Sequence, residues 1–297
     1  MKKVIIGSRG SDLALWQANH VKRQLENLGH EVEIKVIITQ GDAIQNLSFD
    51  KLEGKGFFTK EIEVALLENS IDLAVHSHKD LETNPPAGLM IAAVSEREDP
   101  SELLLINKNK VDTNQKWNLA QEAIIGTSSA RRKSQVLLYR NDLTINDLRG
   151  NVPTRIQKLR DGNYDAILLA KAGVDRLQLD LSDFHVEVLN PTEFVPAPAQ
   201  GVLGLQIRED DQEMFTIMQQ MNHTDVARKI GVERKILNLM EGGCQLPLGV
   251  YCPNEKQLFV SHSVSSTLPA QTYYFEPENF EEIAHTVVAK LKEVAVN

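Results

Sequence analysis

The sequence gathers cations where a helix would begin. Arg131 and Arg132 follow Ser128 and Ser129, Arg155 follows Asn151-Val152-Pro153 with Arg149 just ahead, and Lys60 follows Thr59. Serine, asparagine and threonine are N-cap types, so each of these cations falls in or beside a first turn. The N-terminal end of a helix is partially positive, and a cation there costs a few tenths to about 1 kcal/mol. A solvated helix face explains any one such arginine. The Arg131-Arg132 pair together with Arg149 and Arg155 favours an anion held by backbone N–H groups, hydroxyls and guanidinium forks. On a chain of net charge −9 the implied ligand is a small molecule bearing several carboxylates.

Two further stretches carry reactive groups. Ile71-Asp72-Leu73-Ala74-Val75 reads as a buried strand that stops at His76-Ser77-His78-Lys79-Asp80. Loops at the C-terminal ends of parallel strands are the usual ligand sites. A carboxylate there, Asp80, would steady developing positive charge or move a proton; the plain alternative is a turn aspartate paired with Lys79. His76 and His78 have the period-2 spacing of a metal-binding pair, but His20, His30, His185, His223, His262 and His285 complete no ligand pattern, so no metal is expected. In Glu241-Gly242-Gly243-Cys244-Gln245-Leu246-Pro247 the glycines would leave a thiol exposed, and a thiolate is a strong soft nucleophile. Cys252 has no such setting and reads as structural.

The elements that must position these groups alternate. Lys3 to Ile6 is a strand; Leu13, Gln17, Val21, Leu25 and Leu28 recur at helical spacing between a Ser11 or Asp12 cap and Gly29. Val32 to Ile38 is a strand, Gly41 to Gly56 a polar loop, and Thr59 caps a helix to about Glu68. The pattern restarts with strands at Ala123 to Ile125, Leu143 to Ile145 and Tyr164 to Leu169. Helices are expected after Ser128 or Ser129 and from Asn151 or Val152, with Pro153 in the first turn. Such alternation implies parallel βαβ units and two α/β domains. Pro191 to Gln200 reads as an extended connection. Two helices then fill Gln212 to Met240, and strands at Gln257 to Val264 and Thr272 to Phe275 precede a last helix from about Asn279 to Val294: a smaller α+β domain.

Composition narrows the function. With 297 residues, 42% hydrophobic and 25% charged, the chain is an ordinary globular protein of more than one domain. Its acidity, with a pI of about 5.4, argues against nucleic acid and membrane surfaces as partners. Two cysteines, an N-terminus without a signal-type apolar run, and no apolar stretch long enough to span a bilayer predict a cytoplasmic protein.

Taken in order, several of these stretches resemble the porphobilinogen deaminase (hydroxymethylbilane synthase) family. The matching residues are Gly7 through Gln17, Gly54-Lys55-Gly56-Phe57-Phe58-Thr59-Lys60-Glu61, Ala74 through Asp80, Gly126-Thr127-Ser128-Ser129-Ala130-Arg131-Arg132, Leu148 through Arg155, and the Cys244 loop. The resemblance implies a transferase that joins four porphobilinogen units with loss of ammonia, through an electrophilic azafulvene. The chain grows on a dipyrromethane cofactor held by a cysteine thioether, and water releases hydroxymethylbilane. Asp80 matches the catalytic aspartate and Cys244 the cofactor's anchor. Lys79, Ser77, Ser129, Arg131 and Arg132 match cofactor-binding positions. Arg9, Ser11, Gln17, Arg149, Arg155 and Arg176 match substrate-binding ones, and Lys55 a loop over the cleft. The implied fold is α/β in three domains. Two are like periplasmic binding proteins, 1–95 with 196–212 and 96–195, facing each other over a cleft; the third, α+β, is 213–297 and carries the cysteine. Members usually act as monomers.

His78, Ala130, Lys171, Ala199 and Gln206 depart from the family's usual larger apolar residue, leucine, small apolar residue, glycine and glutamate. None of these removes a matched catalytic residue. The rival reading from another class is a non-catalytic two-domain binder of small anions, which accounts for the arginines and leaves Asp80 and Cys244 idle. A hydrolase built on His76 and His78 is the third reading.

Overall fold

The computed structural model describes residues 3–39, 59–243 and 245–296, with side chains to residue 293. Cys244 and Lys55 lie outside the described residues, as does the expected Gly41 to Gly56 loop. The chain divides into two compact units, Met1–Glu98 with Gly201–Arg228, and Asp99–Gln200 with Lys229–Asn297.

In the first unit β1 (Lys3–Ser8) pairs in parallel with β2 (Glu31–Val36) and β3 (Leu73–Ser77). A late strand, β10 (Leu203–Arg208), enters antiparallel between β3 and β4 (Leu89–Val94), giving the order β2-β1-β3-β10-β4. Side chains alternate across β1, so the two faces take different partners. Val4 and Ile6 pack with Ala18, Val21 and Leu25 of α1 (Asp12–Asn27) and with Met214, Ile217 and Met218 of α6 (Gln212–Gln219). Ile5 turns to the other face, where Ile62, Ala65 and Leu66 of α2 (Lys60–Leu67) cover Ala74 and Leu89. The α1 cap is Ser11, whose Oγ accepts from Ala14 N, and the chain leaves that helix through Gly29 at φ +88°.

The second unit repeats the grammar. β6 (Ile124–Gly126) pairs in parallel with β7 (Thr144–Asn146) and β8 (Ala166–Ala170). β5 (Glu102–Asn107) runs antiparallel to β8 and to the edge strand β9 (Phe184–Leu189), in the order β7-β6-β8-β5-β9. One face buries Leu104, Ile106 and Ile125 with Val136 of α3 (Ala130–Tyr139). The other buries Leu103 and Leu105 with Ile156 and Leu159 of α4 (Val152–Arg160) and Val174 of α5 (Lys171–Leu177). Ser129 caps α3, and Asn151 caps α4 with Pro153 in its first turn.

The remainder is α+β. β11 (Leu248–Asn254), β12 (Gln257–His262) and β13 (Gln271–Phe275) form an antiparallel sheet. It is backed by Ile236 and Leu237 of α7 (Thr224–Leu239) and by Ala284, Val287 and Leu291 of α8 (Ile283–Val296). The fold is therefore α/β, two α/β sheets plus a smaller α+β part, with both large sheets mixed because β10 and β5 run against their neighbours. No helix among the described residues is long and apolar enough to cross a membrane.

Candidate active site

In the first unit the candidate residues collect where β1 and β3 end and α1 begins. Arg9 follows β1 directly and Ser11 caps α1. Gln17, one turn further along and 3% exposed, donates from Nε2 to Ser77 Oγ at 2.9 Å, which ties α1 to the last residue of β3. A single 3₁₀ turn, His78–Asp80, follows. It leaves Lys79 half-buried and Asp80 exposed. The Asp80 carboxylate has no hydrogen bond or ion pair among the described residues.

The two histidines of that segment are both buried. His76 Nε2 meets Gln206 Oε1 at 3.1 Å, so this nitrogen already has a protein partner. Burial pushes His76 down to about 4; the Gln206 contact opposes the shift and the Arg9 charge adds to it. His76 is therefore neutral at physiological pH. No group of three or more histidine, cysteine, aspartate or glutamate side chains among the described residues is arranged to hold a metal.

In the second unit Arg131 and Arg132 stand in the first turn of α3 but turn inward, at 5% and 6% exposure. Both reach Glu102, the fully buried first residue of β5: Arg131 Nη2 at 2.5 Å from Oε1 and Arg132 Nη2 at 2.6 Å from Oε2. Arg131 Nη1 also donates to Val195 O at 2.9 Å and Arg132 Nη1 to Leu168 O at 3.0 Å. Burial lowers the Arg131 pKa, Glu102 raises it, and Arg132 lowers it again. Sequence reasoning missed Glu102. Its signal was a lone acid heading the apolar run Leu103-Leu104-Leu105-Ile106, which is costly to bury unless paired. Arg176 is buried on α5, whereas Arg149 and Arg155 are half-buried around the start of α4, where Arg155 Nε donates to Gly150 O at 2.7 Å.

One carboxylate between two guanidinium groups leaves a net positive charge, and Arg132 Nε is buried with no hydrogen-bond partner among the described residues. A partly neutralised guanidinium pair with an unsatisfied donor fits a group carrying carboxylates. The residues present therefore suit the carboxylated pyrroles that the sequence resemblance implies.

Comparison with known proteins agrees. The family model described as "Porphobilinogen deaminase, dipyromethane cofactor binding domain" matches residues 4–216. Curated proteins named porphobilinogen deaminase are similar over most of their length. That of Sulfurimonas denitrificans is 46% identical over 253 residues, covering 84% of this chain and 79% of its own. That of Oceanobacillus iheyensis is 45% identical over 253 residues, covering 84% and 80%. Among solved structures, an ancestral cationic amino acid solute binding protein aligns at 14% identity over 74% of this chain and 87% of its own, with a TM-score of 0.43, too loose a match to bear on the site. On the strength of the residues matched and the identity shared, this chain belongs to the porphobilinogen deaminase family.

Proposed function

We propose that this chain is a cytoplasmic, monomeric transferase that joins four porphobilinogen units and releases hydroxymethylbilane, with Asp80 as its catalytic carboxylate and Cys244 as the thioether anchor of dipyrromethane. In each addition the C–N bond of the substrate's aminomethyl group breaks and ammonia leaves. A C–C bond then forms from that carbon to a free pyrrole α-carbon, which gives up its proton. Water adds at the final release, so four substrates and one water yield one product and four ammonia molecules. When bound, dipyrromethane supplies the pyrrole carbon at which elongation begins.

The chain's own residues divide the remaining work. Asp80 accepts pyrrole N–H hydrogen bonds, offsets the positive charge that develops as ammonia departs, and receives the ring proton. Ser77, Lys79, Ser129, Arg131 and Arg132 hold the carboxylates of the cofactor. Arg9, Ser11, Gln17, Arg149, Arg155 and Arg176, with Lys55, receive those of the incoming substrate. The smaller α+β part, with Cys244 lying in sequence between α7 and β11, acts as the domain that carries the cofactor. The observation that supports this reading best is the exposed carboxylate of Asp80 just beyond β3, without a hydrogen bond or ion pair among the described residues, in a member of this family.

Two measurements test it. Intact mass of protein from cells that make porphobilinogen should exceed the chain mass, and Cys244→Ala should remove the excess. Asp80→Asn should cut turnover by a factor on the order of 10²–10⁴ while circular dichroism stays unchanged. An unmodified wild-type chain would point instead to a non-catalytic anion binder, and wild-type turnover by Asp80→Asn would remove that residue from its role.

A further inference from the structure

The layer between α2 and the first sheet is apolar, built from Ile62, Ala65, Leu66, Ala74 and Leu89, apart from one line of polar side chains. Thr59, Glu63, Gln206 and His76 are 3%, 8%, 1% and 6% exposed. In the antiparallel pair of β10 and β3, Gly204 stands opposite His76 and Gln206 opposite Ala74. His76 and Gln206 are thus diagonal neighbours on the face that α2 covers. Gln206 Nε2 lies 3.3 Å from Glu63 Oε1, Gln206 Oε1 lies 3.1 Å from His76 Nε2, and Thr59 Oγ1 reaches Glu63 Oε2 at 3.4 Å.

An amide has one donating and one accepting end, which gives the line a direction. With its NH₂ turned to the Glu63 carboxylate, Gln206 offers only a carbonyl to His76, and Nε2 of that imidazole must carry the proton. The reversed amide would need a protonated Glu63 and would place the His76 proton on Nδ1. Burial raises the Glu63 pKa and the Glu82 charge adds to the rise, while the bonds from Gln206 and Thr59 oppose it by stabilising the carboxylate.

We propose that Glu63 acts through Gln206 as a positioning residue: it fixes His76 as the neutral Nε2–H tautomer and so holds the strand end that presents Ser77 and Asp80. His76 immediately precedes Ser77, whose hydroxyl is bonded by Gln17, so a swing of the imidazole would move the same backbone that leads into the 3₁₀ turn. Gln206 suits this task because a carboxylate at its position would set two acids against each other across 3.3 Å. The catalytic consequence rests on the assignment of Asp80 given above; the tautomer does not.

The test uses full-length protein with ¹⁵N-labelled histidine, the His76 signals being assigned by their loss in His76→Asn. The expected spectrum has a protonated Nε2 and an unprotonated Nδ1 at neutral pH. Glu63→Gln should depart from that pattern and lower kcat by about tenfold, with KM within twofold, while Glu63→Asp recovers part of the loss. A proton on Nδ1 in the unaltered protein overturns the proposal, as does a folded Glu63→Gln with unchanged kcat. Should Glu63→Gln fail to fold, the spectrum of the unaltered protein still decides the tautomer. Full activity of Asp80→Asn would strike down the reading of Asp80 alone, since the His76 spectrum would be unaffected.

Discussion

Replacing Glu102 by glutamine should be among the most damaging single changes in the second unit. The carboxylate is fully buried and faces two guanidinium groups at 2.5 and 2.6 Å. Glutamine keeps the shape and removes the charge, leaving two buried cations with no counter-ion among the described residues. Removing one partner of a buried ion pair costs about 3–5 kcal/mol. Arg131 and Arg132 keep their carbonyl partners, Val195 O and Leu168 O, which moderates the loss and sets the expectation near 4 kcal/mol. For a unit of this size each kcal/mol moves Tm by roughly 2–4 °C, so the fall should be about 8–16 °C. Calorimetry is the assay, made on Cys244→Ala chains so that bound cofactor does not add its own stabilisation. Converting Arg131, Arg132 and Glu102 together to apolar residues of similar volume should recover most of the loss. A fall of under about 3 °C would refute the idea that Glu102 neutralises the pair.

Three other outcomes follow from local geometry. His76 resists protonation until about pH 4 when folded, against 6.5 when unfolded. Its contribution is therefore complete above pH 6.5 and is lost as pH falls toward 4; urea unfolding should show about 2 kcal/mol less stability at pH 5 than at pH 7, a slope that His76→Asn should reduce. Gly201 has φ +90°, and a Cβ there would stand 2.4 Å from Glu98 O, so Gly201→Ala should cost more than about 2 kcal/mol in the same assay. Asn151 Oδ1 accepts from Thr154 N at 2.9 Å as the cap of α4, and Asn151→Ala should cost about 1 kcal/mol by thermal unfolding.

Helix starts and parallel strands were legible because their signals are local. Ser11, Ser129 and Asn151 are caps with hydrogen bonds to match, and Gly29 ends α1. Thr59 occupies a cap position without a side-chain cap bond; its hydroxyl turns to Glu63 instead. β10 was hidden because its partners, β3 and β4, lie far back in the chain. β5 looks like a generic apolar run until β8 and β9 flank it. The site shows the same division. The positions of Arg131 and Arg132 at a helix start could be read from spacing, whereas their commitment to Glu102 depends on a tertiary contact spanning about thirty residues. The same holds for Gln206, whose role is set by His76 and Glu63, both more than a hundred residues upstream.

The placement of β10 has a consequence for biosynthesis. During translation β3 and β4 emerge early, yet the strand that joins them emerges about 110 residues after β4 ends. At roughly 5–20 residues per second the ribosome leaves the half-made sheet open for about 5–20 s, long enough for its bare edges to meet another nascent chain. A cell that slows elongation between residues 99 and 200 would lengthen that exposure, so silent codon changes there should alter soluble yield without altering the finished molecule.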